Sequence, residues 1–177
     1  KLPDELLFST LARSRELVAR MIGASPGEIA LATNTGYGLN LAARALPLSP
    51  GDVVLTPDLE FPANVYPWWA AADARGLEYR RVPLRDGVLD EDALLRALDA
   101  RRVKSLSVSW IDSANGARVN LDRVGGACGE RGIYFVVDAI QGVGACPISV
   151  RESPVDILPC GAQKWLLSPS GSGFVYV

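Results

Sequence analysis

The feature that most constrains this chain is a regular alternation of short apolar runs with longer segments of helical pattern. Seven runs read as strands: residues 29–33 (IALAT), 52–56 (DVVLT), 77–84 (LEYRRVPL), 103–110 (VKSLSVSW), 133–138 (IYFVVD), 156–160 (DILPC) and 173–177 (GFVYV). Helical patterns lie between most of them. Pro3 with Asp4 and Glu5 starts the first, whose apolar face is Leu6, Leu7, Leu11, Val18 and Ile22; proline suits a first turn and carboxylates its positive end. Others span 37–46, 63–75, 90–100 and 121–131, and Gly76 supplies a left-handed stop after the third. Trp68 and Trp69 read as helix-face packing. Strands of four to eight residues separated by helices indicate βαβ units. The expected fold class is α/β, a three-layer αβα sandwich around a mostly parallel sheet, with strands apolar throughout because helices cover both faces. No internal repeat or low-complexity linker interrupts it.

In such sheets ligands bind beyond the carboxyl ends of the strands. The candidates are therefore residues 34–36, Glu60 and Phe61, residues 110–113, residues 138–141 and residues 161–164. Composition narrows the chemistry. With 18 basic and 20 acidic residues, the net charge of −2 offers no attraction to nucleic acid or an anionic membrane. No apolar run approaches the ~20 residues of a membrane span, and the opening KLPDELL is unlike a signal peptide, so a cytoplasmic protein is expected. Cys128, Cys146 and Cys160 are odd in number and lack metal spacing, which reads as free thiols. With no histidine, Ser-His-Asp and Cys-His catalysis within the chain are excluded, and no metal site is expected. At 177 residues there is room for one real core. The non-Met start and the apolar last strand suggest an excised domain of something longer.

Lys164 is one of only three lysines against fifteen arginines, and it lies in the apolar setting GAQKWLL. Lysine can lose its proton when desolvated and attack a carbonyl; arginine cannot. Lys1 and Lys104 carry no such context. Asp138 ends IYFVVD, where a carboxylate either caps a loop or faces a ligand. Thr35 and Gly36, in TNTGYGLN, stand between a strand and a helix start, which is either an ordinary turn or an anion site suited to phosphate. The dinucleotide and Walker fingerprints are absent. Phe61, in EFPAN, either packs inward or stacks on a flat ligand. A lysine paired with an acid suits pyridoxal phosphate, which is held by a lysine while an acid faces its ring nitrogen.

These segments together resemble the large domain of fold type I pyridoxal-phosphate enzymes, specifically the class V aminotransferase family that includes cysteine desulfurases, kynureninases and isopenicillin-N-epimerase-like proteins. VVDAIQGVGACPISV resembles the family's VVDAAQ segment, implying that Asp138 pairs with the pyridine nitrogen and Gln141 with the phenolic oxygen. CGAQKWLLSPSGSGFVYV resembles SGHK…GPTGIG, implying Lys164 as the Schiff-base lysine and Gln163 as a phosphate donor. NTGYGLN resembles the phosphate turn, implying Thr35 and Gly36; EFPAN resembles EHHAN, implying Phe61 over the ring. The resemblance spans nearly the whole chain. It implies a pyridoxal 5'-phosphate enzyme acting on an amino acid, a homodimer, and a large domain over 1–177 with a C-terminal small domain outside it.

Departures shape the expected chemistry. Desulfurases carry histidine where Phe61 and Gln163 stand, and asparagine in an SHVSN segment where Ser113 stands; Ser113 remains a candidate cofactor or substrate contact. Gly161 lacks a serine's hydroxyl. The resemblance leaves transamination, C–S cleavage and epimerisation open. Two other classes compete: a nucleotide-binding α/β oxidoreductase, which would need the missing fingerprint, and an inactive scaffold, which would need none of Asp138, Gln141 and Lys164. Arg118 is read as either a substrate ligand or a member of a structural ion pair.

Overall fold

Asp4 and Glu5 open the first helix, α1 (Asp4–Ile22), and Gly23 ends it in the left-handed conformation. The chain then alternates as β1 (Ile29–Ala32), α2 (Thr35–Ala45), β2 (Val53–Pro57), α3 (Tyr66–Arg75), β3 (Glu78–Val82), α4 (Glu91–Leu98), β4 (Val103–Ser109), α5 (Leu121–Glu130), β5 (Tyr134–Asp138), β6 (Leu158–Gly161) and β7 (Gly173–Tyr176). This is a computed structural model, and it describes residues 3–177; Lys1 and the Leu7 side chain lie outside the described residues. Polar caps set several boundaries. The side chains of Asn34, Asp90 and Asn120 accept from the backbone N–H groups of Tyr37, Ala93 and Arg123, satisfying donors that a helix start leaves free. Because Asn34 is the cap, α2 begins at Thr35, two residues before the expected start.

Four strands pair in parallel in the order β3-β2-β4-β5, and three pair antiparallel as β1-β7-β6. A parallel bridge from Val136 to Ile157 joins the two, reinforced by Val137 N–H to Ile157 O at 2.9 Å and Ala139 N–H to Pro159 O at 3.1 Å. The combined sheet is mostly parallel, with β7 running against its neighbours. One core cluster packs α1, α4 and α5 on one face through Ile22, Leu94 and Val124; the other packs α2 and α3 through Leu39 and Trp68. The three-layer αβα sandwich expected from the alternation is the observed architecture.

Side-chain alternation along each strand decides what each layer receives. Val53, Leu55, Leu106, Val108, Phe135 and Val137 serve the α1/α4/α5 side, while Val54 and Val136 serve the α2/α3 side. Ser105, Ser107 and Ser109, and Asp138 two positions beyond Val136, therefore share the α2/α3 side. That face carries the polar groups.

Three sequence expectations change. The strands are not apolar throughout: in β3, Glu78, Arg80 and Arg81 are exposed, because β3 is an edge strand and can present charges to water. Of the α1 face, Ile22 is buried and Val18 packs on the core, but Leu6 and Leu11 are exposed, because only the final turns of α1 reach the sheet. Trp68 is fully buried and Trp69 is exposed; adjacent helical residues point about 100° apart, so one layer cannot hold both. No helix among the described residues is long and apolar enough to cross a membrane.

Two contacts fix α2. The Arg75 guanidinium donates to the carbonyls of Ala43, Leu46 and Leu48 at 2.8, 2.9 and 2.8 Å, satisfying acceptors that the helix end leaves free. At the other end Gly38 presses on the sheet: a methyl group there would lie 2.5 Å from Pro159 Cβ and 2.7 Å from Val175 Cγ2. Gly126, within α5, has open space around it. Replacing each by alanine should therefore give opposite signs. Gly38→Ala is expected to cost about 1–3 kcal/mol by overpacking, and Gly126→Ala to gain up to about 1 kcal/mol from helix propensity. Urea unfolding midpoints check both.

Candidate active site

The carboxyl ends of β2, β4, β5 and β6 and the start of α2 surround one cavity of about 270 Å³. All eight positions singled out from sequence line it: Thr35, Gly36, Phe61, Ser113, Asp138, Gln141, Gln163 and Lys164. Asn34, Ala63, Ser109, Ile111 and Ile140 complete the lining. Arg118 does not. It is exposed, lines a neighbouring groove with Ser149 and Glu152, and forms no ion pair among the described residues.

Thr35 and Gly36 occupy the first turn of α2, whose leading N–H groups have no intrahelical acceptor. The helix dipole adds partial positive charge there. Thr35 Oγ1 accepts the Gly161 N–H at 2.8 Å, tying this turn to the end of β6 while leaving its own hydroxyl proton to donate. A methyl group on Gly161 would meet Gln163 Oε1 at 2.5 Å and Thr35 Oγ1 at 3.2 Å, so a side chain there would displace the end of Gln163.

Asp138 is only 3% exposed at the end of β5. Burial pushes its carboxyl up to about 6, and the negative charge of Glu60 pushes the same way; the Ile140 N–H, which donates to Oδ1 at 3.1 Å, and the Lys164 charge pull it back. Lys164 lies on the turn after β6, half-buried, with its ammonium 5.9 Å from the centre of the Phe61 ring. That turn is closed by Leu167 N–H to Lys164 O at 3.1 Å and Ser168 N–H to Ala162 O at 3.0 Å. Phe61 is 52% exposed, so it forms a wall of the cavity and not part of the core.

Gln141 Oε1 accepts from the Trp165 indole N–H at 3.1 Å. An indole nitrogen only donates, so this contact forces the amide oxygen toward Trp165 and leaves the amide NH2 free. Sequence reasoning missed this partner, and it also gave Glu60 and Ser109 no role. Glu60 accepts from Ser109 N–H at 2.7 Å and Ser109 Oγ–H at 2.6 Å, beside Asp138. A signal was present in SLSVSW, where serines recur every second residue in a strand otherwise apolar enough to be buried.

The cysteines stand apart. Burial pushes the thiols of Cys128 and Cys160 up to about 12, and no cysteine lines the cavity among the described residues. No cluster of three or more metal-ligating side chains exists among them either.

Comparison with known proteins places this arrangement. Residues 5–177 match the family described as Aminotransferase class-V. The chain belongs to that family. It is 32% identical over 167 residues to a probable cysteine desulfurase of Methanothermobacter thermautotrophicus, covering 94% of this chain and 41% of that protein. It is also 32% identical over 170 residues to isopenicillin N epimerase of Streptomyces clavuligerus, covering 94% and 43%. Among solved structures, apo cysteine desulfurase from Thermococcus onnurineus NA1 superposes with a TM-score of 0.90 at 28% identity, over 98% of this chain and 44% of that one. A cystine C–S lyase solved with cysteine persulfide shares the fold, with a TM-score of 0.92 at 22% identity, over 98% and 47%. This class V aminotransferase family chain thus spans less than half the length of the relatives it matches.

The raised pKa of Asp138 has a definite stability consequence. The folded state holds a proton that the unfolded chain releases near 3.8, so this group's contribution falls as pH rises from about 4 to about 6. The difference corresponds to at most about 3 kcal/mol. Without added ligand, Asp138→Asn is expected to be more stable than the wild type at pH 7 and no different at pH 4. Urea titrations at the two pH values check this.

Proposed function

We propose that residues 1–177 form the cofactor-binding large domain of a pyridoxal 5'-phosphate-dependent enzyme acting on an amino acid, with aminotransferase-like chemistry. The observation that carries the reading is one cavity holding an amine, Lys164, a buried carboxyl, Asp138, and the first turn of a helix. Family membership supports it.

The residues present suit that cofactor. The N–H groups of Thr35 and Gly36, the Thr35 hydroxyl and the Gln163 amide would receive the phosphate. Lys164 Nζ would hold the cofactor covalently. Asp138 would face the ring nitrogen, where its negative charge would favour the protonated form of that nitrogen. The free NH2 of Gln141, oriented by Trp165, would donate to the phenolic oxygen. Phe61 would cover one face of the ring, and Ser113 would contact cofactor or substrate at the mouth.

Pyridoxal phosphate supplies, when bound, a carbonyl carbon for an amine and a ring that accepts the electron pair left at Cα. Asp138, as a carboxylate, would favour a protonated ring nitrogen, which is what makes such a ring electron-poor. Lys164, the amine in this cavity, would act as the base at the substrate Cα. A second reading, C–S cleavage or epimerisation, is favoured by the names of the relatives. Amine-donor profiling separates the two readings: keto acid supports transamination, while sulfide with alanine, or racemised amino acid, supports the second.

A homodimer and a cytoplasmic location belong to the same proposal. Apolar side chains next to cavity residues are exposed, namely Tyr37, Trp165 and Leu167, the last at 89%, and a second copy would cover them. The three cysteines are unpaired, as in a reducing compartment.

The direct test is chemical. Incubation with pyridoxal phosphate followed by borohydride reduction and peptide mapping should place a pyridoxyl group on Lys164, and Lys164→Ala should yield none. Labelling elsewhere, or no labelling of the wild type, overturns the assignment.

A further inference from the structure

Phe61 stands at the cavity wall with little apolar packing to hold it. The segment from Asp58 to Val65 that joins β2 to α3 carries Leu59, exposed and left-handed at φ 57°, then Glu60, Phe61 and a short 3-10 turn over Pro62–Asn64. Asp58 ties its start to β3 through Arg81 and the Val82 carbonyl, and the side-chain anchors of Glu60 and Asn64 fall on β4. Ser107 Oγ–H donates to Asn64 Oδ1 at 2.5 Å, and Ser109 donates twice to Glu60, through N–H at 2.7 Å and Oγ–H at 2.6 Å. Ser109 is the register partner of Asp138 in the β4/β5 ladder. The Glu60 carboxylate therefore joins the strand position next to Asp138 to the residue immediately before Phe61.

We propose that Glu60 is a positioning residue, a latch that holds the Phe61-bearing turn against the end of β4 and so sets the height of the Phe61 ring above the Asp138 side of the cavity. The consequence for a bound cofactor rests on the reading of this cavity as a pyridoxal phosphate site; the latch itself does not. Two short bonds to one carboxylate make a rigid attachment, and hydrogen bonds to a charged acceptor are the stronger kind. Burial is the reason it matters. Glu60 is half-buried, and that burial raises its carboxyl pKa. Removing the carboxylate would leave the half-buried Ser109 donors without a protein partner, so the turn would be pulled away or hydrated.

Glutamine separates latch from charge. Its Oε1 accepts the Ser109 N–H, and its NH2 donates to Ser109 Oγ, so Glu60→Gln keeps two bonds and removes the charge. Glu60→Ala removes both bonds, and Ser109→Ala removes one. Hydrogen–deuterium exchange of residues 61–65 in cofactor-free protein reads the latch directly, and titration with pyridoxal phosphate, followed by visible absorbance and circular dichroism, reads its effect on the site. Glu60→Ala is expected to speed that exchange by about tenfold and weaken cofactor affinity by about tenfold, equivalent to about 1.4 kcal/mol. Glu60→Gln should stay within about threefold of the wild type on both readings, with Ser109→Ala between. Unchanged exchange in Glu60→Ala overturns the latch, and so does a Glu60→Gln variant as impaired as Glu60→Ala, which would assign the effect to charge. Should Glu60→Ala not fold, Ser109→Ala decides by the same readings: faster exchange supports the latch, and wild-type exchange overturns it. If the wild type binds no pyridoxal phosphate, the cofactor reading falls while the exchange experiment still decides the latch.

Discussion

The parallel ladder formed by β2, β4 and β5 is the constraint on which the rest of the structure depends. Parallel pairing sends all three strands out at the same edge, and the pairing of Ser109 with Asp138 brings the last residues of β4 and β5 side by side. Because side chains alternate, that register also decides the face. Val137 and Val108 go to the layer of α1, α4 and α5, while Asp138 and Ser109 go to the layer of α2 and α3. A slip of one residue would exchange them, burying serines against Leu94 and Val124 and sending Asp138 away from α2. The apolar residues on the first face make such a slip costly, so the core protects the site's geometry.

Charge placement follows from the same architecture. The start of α2 brings partial positive charge to the cavity, Lys164 brings a full one, and Asp138 and Glu60 supply two carboxylates with raised proton affinity. Neither acid has a bidentate arginine partner, although the chain is rich in arginine. Its arginines instead serve the surface and helix ends, as Arg75 does beneath α2 and Arg123 does between Glu91 and Asp92. An arginine at the cavity would pin these carboxylates as permanent anions. Without such a partner the Asp138 carboxylate is left to pair with a protonated ring nitrogen, which is what the proposed chemistry needs.

Much of this was legible in the residue order. The alternation of patterns exposes the α/β class, and the rule that ligands lie beyond strand ends selects segments that do line one cavity. Less legible were contacts between segments far apart in sequence. Glu60 and Ser109 are 49 positions apart, and Trp165 and Gln141 are 24 apart, so no local spacing links them. Burial within an element was misjudged where position in the assembly matters more than pattern. β3 carries charges because it lies at an edge, and α1 exposes leucines because its first turns extend past the sheet.

The residue order by itself determined the element types and the chemical inventory: strand and helix periodicity are local properties, and a chain without histidine cannot present an imidazole. Its motifs also carried the family resemblance. Only the tertiary structure decided which groups meet and in what state. Strand register put Asp138 beside Ser109, helix packing turned Trp68 inward and Trp69 outward, and burial moved the Asp138 carboxyl to about 6. The reason is physical: periodicity acts over a few residues, whereas register, desolvation and the meeting of distant side chains exist only once the layers have closed on one another.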